Sequence, residues 1–455
     1  MSANSFTKNL KRFAIAVPVS LVLASGAALP RQASAETLAD ALVGAYEHSG
    51  LLNQNRALLR AADEDVATAK STLKPVLQWA AGLTQSFGTT RSSSLLPAQS
   101  TESLKASISL IGELLLYDFG ASAYRVEAAK ETVLATRQAL VNLEQQVLLR
   151  AVAAYMGVIE ASETVELRNN NLRLLTQELR AARDRFDVGE VTRTDVALAE
   201  AQLADARSGL AGAEGTLLRA VEEYRNAVGH APGNLSQPPS LPNIGGDLAS
   251  AKALAVRTHP SIIAAQHQVA AADLGVEANE AAMAPRITLN GQYGLNETFD
   301  SEAYTRSGSV GVQVGQTIYQ GGALSSAVRS SMAQRDAQRA NLHVVRQDVE
   351  QEVGNAYAAL ASARAQLEAS DRQIRAARIA FRGIREEATL GARTTLDVLD
   401  AEQSLLDAES TRVSARANLY VAAYSVLAAT GRLTAQDLKL PVQIYDAGAY
   451  YNLVK

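Results

Sequence analysis

The chain contains no cysteine, which excludes disulfides, thiolate metal sites, a cysteine nucleophile and lipid attachment to a cysteine after a leader. After residue 35 it has no run of 18 apolar residues, so membrane-spanning helices are excluded and entry into a bilayer would require β-strands. Aromatics make up 5% of the chain and prolines number 11 in 455 residues, a composition that suits long alanine-rich helices better than a large globular core. No glycine-rich phosphate loop, nucleophile elbow or catalytic triad is found, so no cofactor is expected and an enzyme reading has no site. The five histidines (His48, His230, His259, His267, His343) are scattered, with no pair at metal-ligand spacing.

What the first 35 residues do contain is a secretory pattern. Lys8, Lys11 and Arg12 precede an apolar stretch at 13–29, and Ala33-Ser34-Ala35 offers a small-x-small cleavage site that would leave Glu36 first. An uncleaved anchor is the alternative, but Pro18 and Ser20 leave a short run for crossing a bilayer. The leader holds four basic and no acidic residues, so the formal charge of -4 becomes -8 once it is removed. An acidic exported chain argues against a nucleic-acid role.

The remainder is a duplication. At an offset of 210, Gly50 matches Pro260, and the helices that follow end in Lys74-Pro75 and Ala284-Pro285. Beyond, at an offset of 202, Tyr117-Asp118-Phe119-Gly120 answers Tyr319-Gln320-Gly321-Gly322, and Ala154-Tyr155 answers Ala356-Tyr357. Gly189 matches Gly391, Gly229 matches Gly431, and Thr194-Asp195-Val196 overlies Leu396-Asp397-Val398. The change of offset falls near 91–97, which reads as an enlarged loop. The domain plan is thus a leader (1–35), a first unit (36–229), a linker rich in proline (230–246), a second unit (247–431) and a tail (432–455).

Each unit opens with an amphipathic helix of about 25 residues closed by proline. Two strands follow, at 76–87 and 104–117 in the first unit, and at 287–295 and 307–319 in the second. Leu104, Ala106, Ile108 and Leu110 alternate with Lys105, Ser107 and Ser109; Val310, Val312 and Val314 alternate with Gly311, Gln313 and Gly315. A solvent-facing hairpin shares that pattern, but the alternation, the length and the export signal favour a membrane barrel. Four strands cannot close a barrel, since small barrels need about eight, so several subunits must share one. Trp79 suits an interfacial aromatic belt or a packed site.

Each unit then runs into a helical hairpin. The first seam is Val147, Ala151, Ala154, Val158, Ala161, Val165, Leu172, Leu175, Leu179, Ala182 and Phe186, interrupted by Arg168. The second is Val349, Val353, Ala356, Leu360, Ala363, Leu367, Ile374, Ala377, Phe381, Ile384 and Ala388, interrupted by Ser370. This 4-3 spacing specifies supercoiled helices. A continuous outgoing helix from 121 to the turn at 189 would measure roughly 100 Å. The return helices, 194–228 and 396–429, are shorter, so the outgoing helix either bends or serves as a shared backbone for two shorter ones.

On these residues the chain resembles the TolC-like outer membrane efflux proteins. The tandem unit, the aromatic-x-Gly-Gly at Tyr319 to Gly322, and the turns at 188–196 and 390–401 carry the resemblance. It implies a mainly α fold with β: long helical hairpins forming a trimeric α-barrel tunnel, joined to a shared twelve-stranded transmembrane barrel with four strands per chain. It implies an outer-membrane exit duct of an efflux or type I secretion system, reaching through the periplasm to a periplasmic adaptor and an inner-membrane RND or ABC pump. Drugs, other small molecules or polypeptides would be its cargo, and iris-like movement of the helix tips its opening. An exported coiled-coil envelope scaffold without transport activity is the alternative, and it leaves the strands without a purpose.

Asp397 and Asp400 lie three apart on one helix face. Spacing alone fits a solvated helix start; the resemblance makes them stacked carboxylate rings at a periplasmic constriction that favours cations. The resemblance also implies gate-linking roles for Arg393, Asp195 and Thr194, with Ala388 standing where the family often has a tyrosine in that lock. Val188, Gly189, Glu190, Val191, Leu390, Gly391 and Ala392 occupy the positions of adaptor-contacting tips.

Overall fold

Proline, glycine and short polar side chains set the element boundaries. The computed structural model describes residues 35–91, 97–238, 240–299 and 304–454. The leader up to 34 and the centre of the expected enlarged loop, 92–96, lie outside the described residues. Instead of one opening helix, each unit has two. Helix α1 (Leu38–His48) ends at Ser49, whose hydroxyl then caps α2 (Gly50–Ser71) by accepting from the Leu52 amide. In the second unit α5 (Leu248–Thr258) and α6 (Pro260–Ala281) meet at His259, which holds extended backbone before Pro260 and accepts from the Ser261 amide.

After Pro75 come strands β1 (Val76–Thr90) and β2 (Gln99–Tyr117), then the long helix α3 (Ala121–Asp187) and its return α4 (Arg193–Val228). The second unit repeats this as β3 (Arg286–Thr298), β4 (Tyr304–Gly315), α7 (Ala323–Thr389) and α8 (Thr395–Ala429), and α9 (Ala449–Val454) closes the chain. The expected fourth strand to 319 stops at Gly315, because its partner β3 begins at Arg286, directly opposite Gly315. Past that point no neighbour can accept the ladder. Ile318 and Tyr319 are left 92% and 84% exposed.

Helices α3 and α7 have 67 residues each, which is about 100 Å of continuous helix. Helix α3 is the shared backbone: α1, α2 and α6 pack on it as well as α4 and α8. Its seam buries Val147, Ala151, Ala154, Val158, Ala161, Leu175, Leu179 and Ala182, while Phe186 at the tip stays exposed. Helix α7 buries Val349, Val353, Ala356, Leu360, Ala363 and Ile374, but Ala377, Phe381, Ile384 and Ala388 are only half covered. Helix α7 packs on α5, α6 and α8, and no comparable packing joins it to α4 among the described residues.

The tail, which shows no periodicity, folds back as structure. Leu433 and Ala435 are fully buried, and the Ala435 amide donates to Glu144 at 2.6 Å. The Tyr451 ring lies over Lys70 and Arg137, and the Tyr450 hydroxyl donates to Glu64. The duplication is visible in ion pairs: Arg137 and Asp63 in the first unit recur as Arg339 and Asp273 in the second. Asp63 is buried and Asp273 exposed, and only the first pair lies near the tail.

Candidate functional site

The four strands form one antiparallel sheet in the order β1-β2-β3-β4. Its register sorts the side chains. Leu77, Trp79, Ala81 and Leu83 of β1 stand opposite Gly112, Leu110, Ile108 and Ala106 of β2. Leu110 and Ile108 stand in turn opposite Tyr293 and Leu295 of β3, whose Leu289 and Ile287 face Val312 and Val314 of β4. Because side chains alternate, all of these share one face. Trp79 is 73% and Val310 80% exposed, so this apolar face is bare in a single chain.

The other face reads Gln78, Thr84 and Ser86, then Ser103, Lys105, Ser107 and Ser109, then Thr288, Asn290, Gln292 and Asn296, then Thr305, Ser307, Ser309 and Gln313. It is polar over most of its extent, with Val76, Ala80, Ile111 and Leu115 as apolar exceptions. The Asn290 amide donates to Gln313, and Arg286 pairs with Glu113 at 3.2 Å. Among the described residues, strands β1 and β4 each lack a second neighbour, so both sheet edges are open. A strip that is apolar outside, polar inside and unpaired at both edges fits one third of a closed membrane barrel better than any free-standing sheet.

At the far end of the long helices both turns are built alike. Gly189 and Gly391 adopt positive φ, 80° and 76°, where a side chain would be strained. Glu190 donates back to the Arg185 carbonyl and Gly189 to that of Phe186; Ala392 and Gly391 repeat this with Glu387 and Ala388. These paired bonds close a helix end in a Schellman turn. Each return helix then begins with a capping box. Thr192 and Thr394 accept from the amides of Asp195 and Asp397, whose carboxylates accept from the threonine amides at 2.8 and 2.9 Å. The Thr192 hydroxyl and then its amide hold the Asp195 carboxyl below the usual range. For Asp397 the Thr394 amide is the larger cause and the hydroxyl the second.

Val398 and Leu399, between the two aspartates, are 5% and 2% exposed, so the opposite helix face carrying Asp397 and Asp400 is turned outward. Leu399 packs into the core made by Leu175, Leu179 and Ala182 of α3 with Ala199, Leu203 and Ala206 of α4. Arg393 pairs with Glu387 of its own hairpin at 2.9 Å, Asp195 is held by Thr192, and Thr194 is exposed. Within one chain, therefore, Arg393 and Asp195 bond inside their own hairpins, and the three residues expected to link the gate do not bond to each other among the described residues. The tip residues Val188 and Leu390 are 72% and 84% exposed.

Besides the Leu399 contact, the two hairpins of a chain are joined by polar links, one of them a buried pair that sequence spacing did not single out. Asn171 of α3 donates to Glu402 of α8 at 2.9 Å, both side chains being buried. The second Glu402 oxygen has no partner, and burial raises its carboxyl to about 7 despite the Asn171 bond. Nearby, Arg385 of α7 lies 3.7 Å from Glu178 of α3. His267 of α6 bonds Glu131 of α3 at 2.7 Å, and no metal-binding cluster occurs among the described residues.

The family model described as outer membrane efflux protein matches residues 42–230 and 253–432, the two repeat units in succession. The chain belongs to the outer membrane efflux protein family. It is 37% identical over 440 residues to the outer membrane efflux protein BepC of Brucella suis, covering 95% of this chain and 94% of that one. It is 25% identical to the alkaline protease secretion protein AprF of Pseudomonas aeruginosa, covering 73% of this chain and 71% of that one. Among solved structures, the outer membrane protein VceC of Vibrio cholerae has a TM-score of 0.73 at 21% identity, covering 87% of this chain and 96% of that one. The protein is an outer-membrane channel of the efflux and secretion class, with its helices extending into the periplasm.

Proposed function

We propose that three copies close one twelve-stranded barrel and one twelve-helix tunnel, forming the exit duct of a tripartite export system. The observation that carries this is the sheet strip with two open edges, whose β1 needs the β4 of a neighbour. The duplication supports it. Helix α8 packs on α3 inside the chain, but the equivalent surfaces, α4 and α7, have no such contact. Shifting by 202, the Asn171 and Glu402 pair maps onto Gln373 and Glu200, which would then face each other between subunits. A head-to-tail contact of that kind generates a ring.

In such a ring Asp397 and Asp400 form stacked carboxylate rings at the periplasmic entrance, favouring cations. The entrance opens by iris-like separation of the tips, with Arg393, Asp195 and Thr194 linking neighbouring hairpins when it is closed. Residues 188–191 and 390–392 present the exposed tips to a periplasmic adaptor, which couples the duct to an inner-membrane pump of the RND or ABC class. The names of BepC and AprF speak for efflux in one relative and protease secretion in another, so drugs, small molecules and polypeptides are all candidate cargo here. Arg393→Ala and Asp195→Ala are expected to raise single-channel conductance in planar bilayers. Unchanged conductance in both would remove the gate assignment. Gene deletion with profiling of drug sensitivity and secreted proteins tests export itself.

A further inference from the structure

The polar face of the sheet holds few charges among the described strand residues: Lys105, Glu113 and Arg286. Two of these cancel, since Arg286 and Glu113 form an ion pair at the helix-proximal end. Lys105 is exposed and forms no ion pair among the described residues. Its neighbours across the ladder are Thr84 and Thr298, and on its own strand the same face shows Ser103 and Ser107. The remaining strand charges near it, Glu102, Glu297 and Arg306, alternate onto the apolar face toward the loop end.

Lys105 and Glu113 are eight positions apart on β2, about 27 Å at ~3.4 Å per residue. That exceeds the Debye length of about 8 Å at physiological salt, so the paired charges at one end do not neutralise the lysine at the other. Twelve strands at ~4.8 Å spacing and ~40° tilt enclose a backbone radius of about 12 Å. A lysine stem of roughly 6 Å therefore places its ammonium within about one Debye length of the axis.

We propose that Lys105 is the charge-selectivity determinant of the barrel lumen. In the assembled duct three Lys105 ammonium groups ring a lumen face whose described strand residues are otherwise neutral, near the extracellular end, and favour anions there. This inference rests on the trimeric channel proposed above. It means that the duct carries two filters of opposite sign in series, carboxylates at the periplasmic entrance and ammonium groups toward the exit. Once the entrance dilates for cargo, the lysine ring becomes the stronger bias.

The test is the permeability ratio of K⁺ to Cl⁻ of the purified full-length channel in neutral planar bilayers. About 10 mM against about 100 mM KCl keeps the Debye length between ~30 and ~10 Å. With Asp397→Asn and Asp400→Asn removing the entrance rings, Lys105 is expected to leave Cl⁻ preferred by about twofold. Lys105→Gln brings the ratio to about one and Lys105→Glu inverts it to about twofold for K⁺, with both effects vanishing near 1 M salt. Heat-resistant oligomer on gels confirms assembly, and if Lys105→Glu fails to assemble, Lys105→Gln decides alone. Conductance with the same ratio in all variants overturns the lysine filter. No conductance from any form, wild type included, overturns the channel beneath it.

Discussion

Glu402 lies two residues beyond the exposed Asp400, in the opposite environment. Its side chain is buried between the hairpins, with one oxygen bonded to Asn171 and the other bare, so burial favours the protonated form and raises its pKa from 4.5 to about 7. Glu178 on α3 opposes ionisation there and Arg385 on α7 favours it. Between about pH 4.5 and 7 the folded chain keeps a proton that the unfolded chain has released, so stability falls as pH rises through that window. The loss levels off above it at on the order of 3 kcal/mol per chain. Glu402→Gln is expected to melt like wild type near pH 4 and several degrees higher near pH 8. Equal melting temperatures at both values would show that Glu402 is not a source of the pH dependence. Asp397 behaves oppositely: its cap keeps it ionised below the ordinary carboxylate range, so an entrance ring there keeps its charge in mild acid.

Among the elements, the strands offer the sharpest contrast, because adjacent positions face different solvents. Val310→Arg places a cation on the lipid side near the middle of β4, at a cost of about 2–4 kcal/mol per chain. Ser309→Arg, one residue away, points into the aqueous lumen and should leave assembly intact. The amount of heat-resistant oligomer in outer-membrane fractions measures the difference; equal loss for both would mean that the sheet is not a two-faced membrane wall. These strands were legible in the sequence because period-two alternation runs through most of each, although it lapses at 114–116 and did not show that β4 ends at Gly315. The seams were legible too, down to the capped turns at Gly189 and Gly391. The breaks at Ser49 and His259 were not, since apolar spacing continues across them, nor was the docking of residues 433–451, which depends on contacts with Tyr46, Glu64 and Glu144 far back in the chain. Asn171 and Glu402 also escaped notice, as polar residues beside an apolar seam look like its solvated edge until a second hairpin covers them.

For the whole molecule, a single chain is incomplete at both ends. The sheet has two open edges and a bare apolar face, and the tip half of α7 has a seam that its own chain leaves only half covered. Leu399 anchors α8 to the first hairpin, and Leu399→Ala should loosen that contact by about 2–5 kcal/mol per chain, lowering the temperature at which the oligomer dissociates on gels. An unchanged dissociation temperature would mean that this core contributes little to the assembled tunnel. In this arrangement no single chain makes a pore, and three together do. Native mass spectrometry of the detergent-released outer-membrane protein tests it most directly: conducting particles should contain three chains, whereas conducting monomers, or particles with any other number of chains, would contradict it.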